Sequence, residues 1–287
     1  MYTTIVDPKT LHDHLGDPNW IVIDCRHNLL DYGEGRRLYD EGHIPGAQFV
    51  YVETDLSAEK TGTNGRHPLP HRETFVEFLR SLGVNENTQI VAYDAGVDMF
   101  ASRLWFMTRW IGHGAIALLD GGYASWVEAR YPITTEPSPQ HPHGNLQLHA
   151  QLDRTFNAND VLAEITNNGN TADGSYPHAV LLDARGAERF AGQNETMDPV
   201  AGHIPGAQNR FFKENFDDRG RWKSPEQLRK EFAEYGDPAN VVHYCGSGVS
   251  SAVNLIGMHI ADLTGAALYP GSWSEWCADR SRPMVTP

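Results

Sequence analysis

The chain alternates short apolar runs with amphipathic stretches. Ile21-Val22-Ile23, Ile90-Val91-Ala92-Tyr93, Val180-Leu181-Leu182 and Val241-Val242-His243-Tyr244 are too short for helices and rich in β-branched residues. Such runs read as buried strands. Between them lie segments of helical spacing; one runs from Phe100 to Ile111 and is followed by a strand from Ala115 to Leu119. Ser224-Pro225-Glu226-Gln227 reads as a helix start, with an N-cap serine, proline at the first helical position and acid in the first turn. This alternation predicts an α/β fold whose sheets are mainly parallel and flanked by helices. Ligands of such sheets gather at the carboxyl ends of strands. Cys245 and Asp94 both fall at such ends.

The pattern is written twice. Gly42-His43-Ile44-Pro45-Gly46-Ala47-Gln48 recurs as Gly202-His203-Ile204-Pro205-Gly206-Ala207-Gln208. Upstream of each, an apolar run ends in Asp-x-Arg: Asp24-Cys25-Arg26, then Asp183-Ala184-Arg185. Downstream, the run ending in Tyr93-Asp94 matches the one ending in Tyr244-Cys245. Further on, Leu119 to Trp126 matches Tyr269 to Trp276. Four matches in one order imply two homologous domains. A proline-rich stretch around Pro132, Pro137, Pro139 and Pro142 breaks helix and sheet and reads as an extended linker. The expected division is a domain over 1–130, a linker over 131–151 and a second domain over 152–287.

Charge and cysteine content narrow the chemistry. The net charge of −14 argues against nucleic acid or an anionic membrane as partner. An anionic substrate would need a local cluster of donors. Three cysteines in 287 residues make no disulfide framework and suggest a reducing compartment. The first residues lack the charge and apolar core of a secretory leader. No apolar run approaches the roughly 20 residues of a membrane span. A cytoplasmic protein is expected.

Cys245-Gly246-Ser247-Gly248-Val249-Ser250 is the stretch that carries chemistry. A cysteine after a strand, in a glycine-rich loop that opens a helix, faces backbone N–H groups and the positive end of a helix dipole. Gly246 and Gly248 let the backbone curl with its N–H groups inward. The result is an anion cradle around an exposed sulfur. Converting most of a thiol of pKa about 8.5 to thiolate near neutral pH takes about 2.7 kcal/mol of differential stabilisation, within reach of such a loop. The alternative is a small buried hydrophobe. A phosphatase of Cys-x₅-Arg type would need arginine at position 251, where this chain has Ser251. No second cysteine stands close enough for a dithiol redox motif, and no His/Cys cluster has metal-ligand spacing. Neither a metal nor an organic cofactor is expected.

The doubled Asp-x-Arg, the doubled Gly-His-Ile-Pro-Gly-Ala, the six-residue cysteine loop and the Asp120-Gly121-Gly122 and Gly271-Ser272-Trp273-Ser274-Glu275-Trp276 endings together resemble the rhodanese family of sulfurtransferases in its tandem form. The resemblance covers essentially the whole chain. It implies two rhodanese-like domains, of which the second is catalytic. The uncharged Gly246-Ser247 after the cysteine is similar to the branch that uses 3-mercaptopyruvate; thiosulfate-using members usually carry basic residues there. The implied reaction is ping-pong. Cys245 takes sulfur from the donor, becomes a persulfide, and passes the sulfur to cyanide, a small thiol or a thioredoxin-like acceptor. The alternatives are thiosulfate as donor, or a carrier that holds a persulfide without turnover.

The resemblance also assigns residues. Arg189 matches the arginine that binds the donor's carboxylate, and Gly246, Gly248, Val249 and Ser250 line the donor's side of the loop. Ser247, His67 and Glu53 match a serine–histidine–acid relay, with Asp55 as the other candidate acid. Arg185 reads as structural. Mercaptopyruvate-using members carry a second arginine shortly before the second Gly-His-Ile-Pro-Gly; this chain has none there, and Asp198 occupies its place. Asp94 stands where the first repeat would have its cysteine. The first domain is therefore expected to be catalytically silent, with Asp94 capping a helix. Its stretch from Leu56 to Leu69 is expected to reach the second domain's loop. Cys25 reads as core, and Cys277 has no assigned role.

Overall fold

A computed structural model describes residues 1–166 and 179–287. The apolar runs become the strands of two sheets. In the first, β1 (Ile5–Val6), β2 (Trp20–Asp24), β3 (Gln48–Phe49), β4 (Gln89–Tyr93) and β5 (Ile116–Leu119) lie in the order β1-β5-β4-β2-β3. In the second, β6 (Arg154–Thr155), β7 (Val180–Asp183), β8 (Gln208–Asn209), β9 (Val241–Tyr244) and β10 (Ala267–Leu268) lie in the order β6-β10-β9-β7-β8. Every pairing is parallel, and the two orders are the same when read by position in the repeat. Four consecutive buried residues in β9 fit a strand covered on both faces.

The chain resolves into two compact units. One comprises Met1–Ala58, Pro70–Leu152 and Phe216–Trp222; the other comprises Glu59–Leu69, Asp153–Asn215 and Lys223–Pro287. Each unit thus contains one short segment from the sequence half that supplies the rest of its counterpart. Residues 131–151 carry little regular structure and fold with the first unit, where Thr134 bridges His43.

The doubled motif does the same work in both units. Arg26 lies over Asp24 with its Nη2 2.5 Å from Oδ2, and its other reach is to the Gly42 carbonyl at 2.8 Å. Arg185 does likewise with Asp183 at 2.7 Å and the Gly202 carbonyl at 2.8 Å. Tyr93 donates its hydroxyl to Asp24, and Ile44 and Ile204 donate backbone N–H groups to the hydroxyls of Tyr93 and Tyr244. Each pair is almost fully buried, so it ties the strand end to the glycine–histidine turn at the expense of desolvation. Burial pulls the Arg185 guanidinium down, but the Asp183 carboxylate outweighs it and holds the charge on.

Two strand ends in the second unit matter most. From β7 the chain runs to β8 on one side of the sheet; from β9 it runs to β10 on the other. The reversal lies between β7 and β9, and a doubly wound sheet opens a crevice at that point. Cys245 follows β9 directly. After its six-residue loop the helix Ser251–Ile260 begins.

Candidate active site

The loop from Cys245 to Ser250 is fixed from beneath by the short helix Ser272–Trp276. Trp273 and Ser274 donate backbone N–H groups to the carbonyls of Cys245 and Gly246, at 3.0 and 2.9 Å. Cys245 donates its own N–H to Ser272 Oγ at 3.1 Å. Gly248 has φ of +74°, and a Cβ there would stand 2.1 Å from the Pro270 carbonyl oxygen, so only glycine fits. In that conformation its N–H donates to Cys245 Sγ at 3.2 Å.

Cys245 is 1% exposed, so its sulfur is enclosed rather than open as the sequence suggested. Enclosure alone would raise the thiol's pKa. It is overcome by the Ser250 and Ser251 hydroxyls and the N–H groups of Ser247 and Ser251, which hold the thiol below its ordinary value. Ser251 Oγ is buried and makes no well-formed hydrogen bond among the described residues. The loop therefore favours a sulfur anion, and a persulfide anion would meet the same donors. The other two thiols differ. Burial pushes Cys25 well up, and it raises Cys277 to about 11. Both are buried, and neither is poised to ionise at neutral pH.

Residues 59–69 lay polar groups over this loop. His67 Nδ1 is 2.7 Å from Ser247 Oγ, with both side chains buried. Arg66 donates its backbone N–H to Ser274 Oγ at 3.0 Å. Its guanidinium reaches over Gly246, where an added Cβ would stand 2.7 Å from Nη2. Arg189, on the short helix Ala187–Phe190, comes to the same place: the Cβ would be 3.5 and 3.6 Å from its two terminal nitrogens. Arg189 is gripped by Glu195, whose Oε2 accepts from Nε at 3.0 Å and Oε1 from Nη2 at 2.9 Å. Burial works to raise Glu195, but the Met197 N–H and Arg189 outweigh it and hold the carboxyl low.

The structure thus gathers Cys245, Ser247, His67 and Arg189 with Gly246, Gly248, Val249 and Ser250. Val249 is buried in the loop, and Ser250 caps its end. Glu53 and Asp55 belong to the other unit. There Glu53 lies 3.8 Å from His27 Nε2, and Asp55 accepts the Tyr51 N–H at 2.8 Å within a local turn. Arg66 and Ser272 are the residues that sequence reasoning did not single out. Arg66 had a signal: it directly precedes the histidine already assigned, in a segment expected to reach the loop. Ser272 had none, because its place is set by a positive φ of 55° in the Gly271-Ser272 turn.

The first unit's matching loop holds a carboxylate instead. Asp94 Oδ1 accepts N–H groups from Gly96 and Asp98, and Oδ2 accepts from Phe100, each at 3.0 Å. Asp98, not Asp94, is the residue that directly precedes the helix Met99–Trp110. The capping carboxyl is nonetheless that of Asp94, which fills the same kind of cradle; burial raises its pKa against the pull of the Gly96, Phe100 and Asp98 N–H groups.

Comparison with known proteins shows the family. The model of the rhodanese-like domain matches twice, over residues 7–129 and 158–279. A Pseudomonas aeruginosa protein, named provisionally as a 3-mercaptopyruvate sulfurtransferase, is 39% identical over 287 residues, with 98% of each chain covered. A Mycobacterium tuberculosis protein, named provisionally as a thiosulfate sulfurtransferase, is 36% identical over 273 residues, covering 94% of this chain and 91% of its own. The solved structure of 3-mercaptopyruvate sulfurtransferase from Leishmania major superposes with a TM-score of 0.83 at 27% identity, covering 98% of this chain and 76% of that one. Among the described residues no helix is long and apolar enough to cross a membrane. The chain belongs to the rhodanese-like family, as a sulfurtransferase that carries the domain twice.

Proposed function

We propose that this enzyme takes sulfur from 3-mercaptopyruvate onto Cys245 and hands it to a thiol or to cyanide. The observation that carries the reading is the uncharged Cys245 loop beneath guanidinium groups. The loop holds the sulfur anion with neutral donors, and the positive charge sits to one side, where a carboxylate would bind.

The Cys245 thiolate attacks the donor's sulfur. An S–S bond forms, the donor's C–S bond breaks, and the electron pair leaves on carbon as the enolate of pyruvate. The donor's thiol proton ends on that carbon, giving pyruvate. Ser247 and His67 carry the proton, since a hydroxyl hydrogen-bonded to an imidazole can take it from sulfur and return it to the enolate. The acceptor then attacks the outer sulfur, and Cys245 leaves as a thiolate into the same N–H and hydroxyl cradle. The first unit takes no part in transfer, since a carboxylate at Asp94 cannot carry sulfur. In this reading the acceptor is a small thiol, a thioredoxin-like protein or cyanide in a reducing, cytoplasmic setting, with which three free cysteines are compatible.

Incubation with mercaptopyruvate and cyanide should yield pyruvate and thiocyanate, and intact Cys245 should gain the mass of one sulfur atom when the acceptor is withheld. The Cys245→Ser variant should do neither; retained turnover in it would refute the mechanism. Thiosulfate is the second reading, favoured by the name of the M. tuberculosis relative. The ratio of kcat/KM for the two donors decides between them.

A further inference from the structure

Asp198 stands where a second arginine was expected, yet it does not leave the donor site short of one. Its side chain is 1% exposed and lies between two guanidinium groups. Arg66 meets it with two hydrogen bonds, Nε to Oδ1 at 2.9 Å and Nη2 to Oδ2 at 3.1 Å. Arg189 adds a third, Nη2 to Oδ2 at 3.1 Å. One carboxylate thus holds two guanidinium groups side by side. Both come to the face of Gly246, next to the reactive sulfur, and both keep about a quarter of their surface open. Among the described residues Arg189 Nη1 has no acceptor, its bonds running through Nε and Nη2, and Arg66 Nη1 reaches only Met197 Sδ at 4.0 Å. Those N–H groups are available to a ligand.

We propose that Arg66 is the second arm of the donor's carboxylate seat, with Asp198 as the residue that positions it. The proposal rests on the mercaptopyruvate reading above. The arm comes from residues 59–69 rather than from the stretch before Gly202, and the acid at 198 is what makes this relocation work. It also sets specificity. Asp198 and Glu195 offset part of the charge of the two guanidinium groups through Nε and Nη2 and leave their Nη1 N–H groups as donors, so the seat suits the single carboxylate of a short 2-oxo acid bearing a β-thiol. A compact dianion such as thiosulfate would bring charge that nothing balances.

The test compares mercaptopyruvate with mercaptoacetone, the neutral analogue with methyl in place of carboxylate, in wild type, Arg66→Ala and Arg66→Lys. Arg66→Ala should lower kcat/KM for mercaptopyruvate by about tenfold to a hundredfold, mainly through KM, the scale of one lost charged hydrogen-bond pair. Mercaptoacetone should be nearly unaffected, and Arg66→Lys should restore part of the loss. Equal losses with both donors, or none with either, would overturn the proposal. A wild-type enzyme that releases no pyruvate from mercaptopyruvate would instead overturn the donor reading. In that event protection of Cys245 by pyruvate against iodoacetamide, present in wild type and absent in Arg66→Ala, still decides whether Arg66 binds a carboxylate.

Discussion

His67 Nδ1 stands 2.7 Å from Ser247 Oγ, across 180 residues of sequence. In the proposed reaction this pair moves the donor's proton, whereas transfer of the outer sulfur to cyanide has no proton to move. Ser247→Ala should therefore slow pyruvate release by about 10²- to 10⁴-fold. Attack of cyanide on preformed persulfide should keep its rate. Stopped-flow measurement of the two half-reactions separates them, and equal slowing of both would point to general damage instead.

The pH dependence of Cys245 follows from its loop. The thiolate reacts and the thiol does not, so alkylation by iodoacetamide should rise with pH and level off above the thiol's pKa. That pKa is held below the ordinary thiol value by the Ser250 and Ser251 hydroxyls and loop N–H groups, against the upward pull of burial. Ser250→Ala removes one donor and leaves burial in place, so its midpoint should move to higher pH. An unchanged midpoint, read by mass spectrometry on Cys245, would take Ser250 out of the cradle.

Asp94 should matter for stability and not for turnover. Asp94→Ala orphans three N–H groups, of Gly96, Asp98 and Phe100, the last two of them in buried hydrogen bonds. A cost of about 1–3 kcal/mol per unsatisfied group is the expected scale, or several degrees in Tm. The kcat per folded molecule should hold. A changed kcat at full folding would mean that the first repeat is not spent.

Asp98→Asn should stabilise the protein. Asp98 Oδ2 accepts the Trp222 indole N–H at 2.8 Å, while Oδ1 is buried and has no hydrogen-bond partner among the described residues. Burial, then the charge of Asp94, raises this carboxyl well above its usual range. An acid raised in the folded state binds protons more tightly there than in the unfolded chain. Its contribution is therefore most favourable at low pH and becomes a growing cost as pH rises from the unfolded value toward the folded one. Asparagine keeps the acceptor for Trp222, tolerates the φ of 49° at this position and cannot ionise. The Tm gain should widen between acid and neutral pH; a gain that is flat with pH would remove the charge explanation.

The sequence made the fold legible because both copies of the motif have strong local signatures. An apolar run closed by Asp-x-Arg can only be a buried strand end with its charge paired, and the structure has it twice, at Asp24 and Asp183. The strand Gln89–Tyr93 and the helix starting at Ser251 follow from periodicity alone. Charge at the site was harder to read. Asp198 looks in sequence like an arginine lost, because its two partners sit 9 and 132 residues away. The surroundings of the Cys245 loop were equally hidden, since Ser272 supports it from beneath and Arg66 and His67 of residues 59–69 meet Gly246 and Ser247. A local pattern reports a cradle; it does not report a lid contributed from elsewhere in the chain.

The short segments 59–69 and 216–222 set an order on synthesis. Each folds with the unit that most of its sequence half does not build. A nascent chain emerging from the ribosome usually folds its leading domain first. Here the leading unit lacks Trp222, the partner of Asp98, until residue 222 has been made, well past Leu152. Arg66 and His67, made early, have no Gly246 or Ser247 to meet until the trailing unit is nearly complete. Neither half of the gene encodes a finished unit, so each unit gains its last segment only when the trailing half has been made.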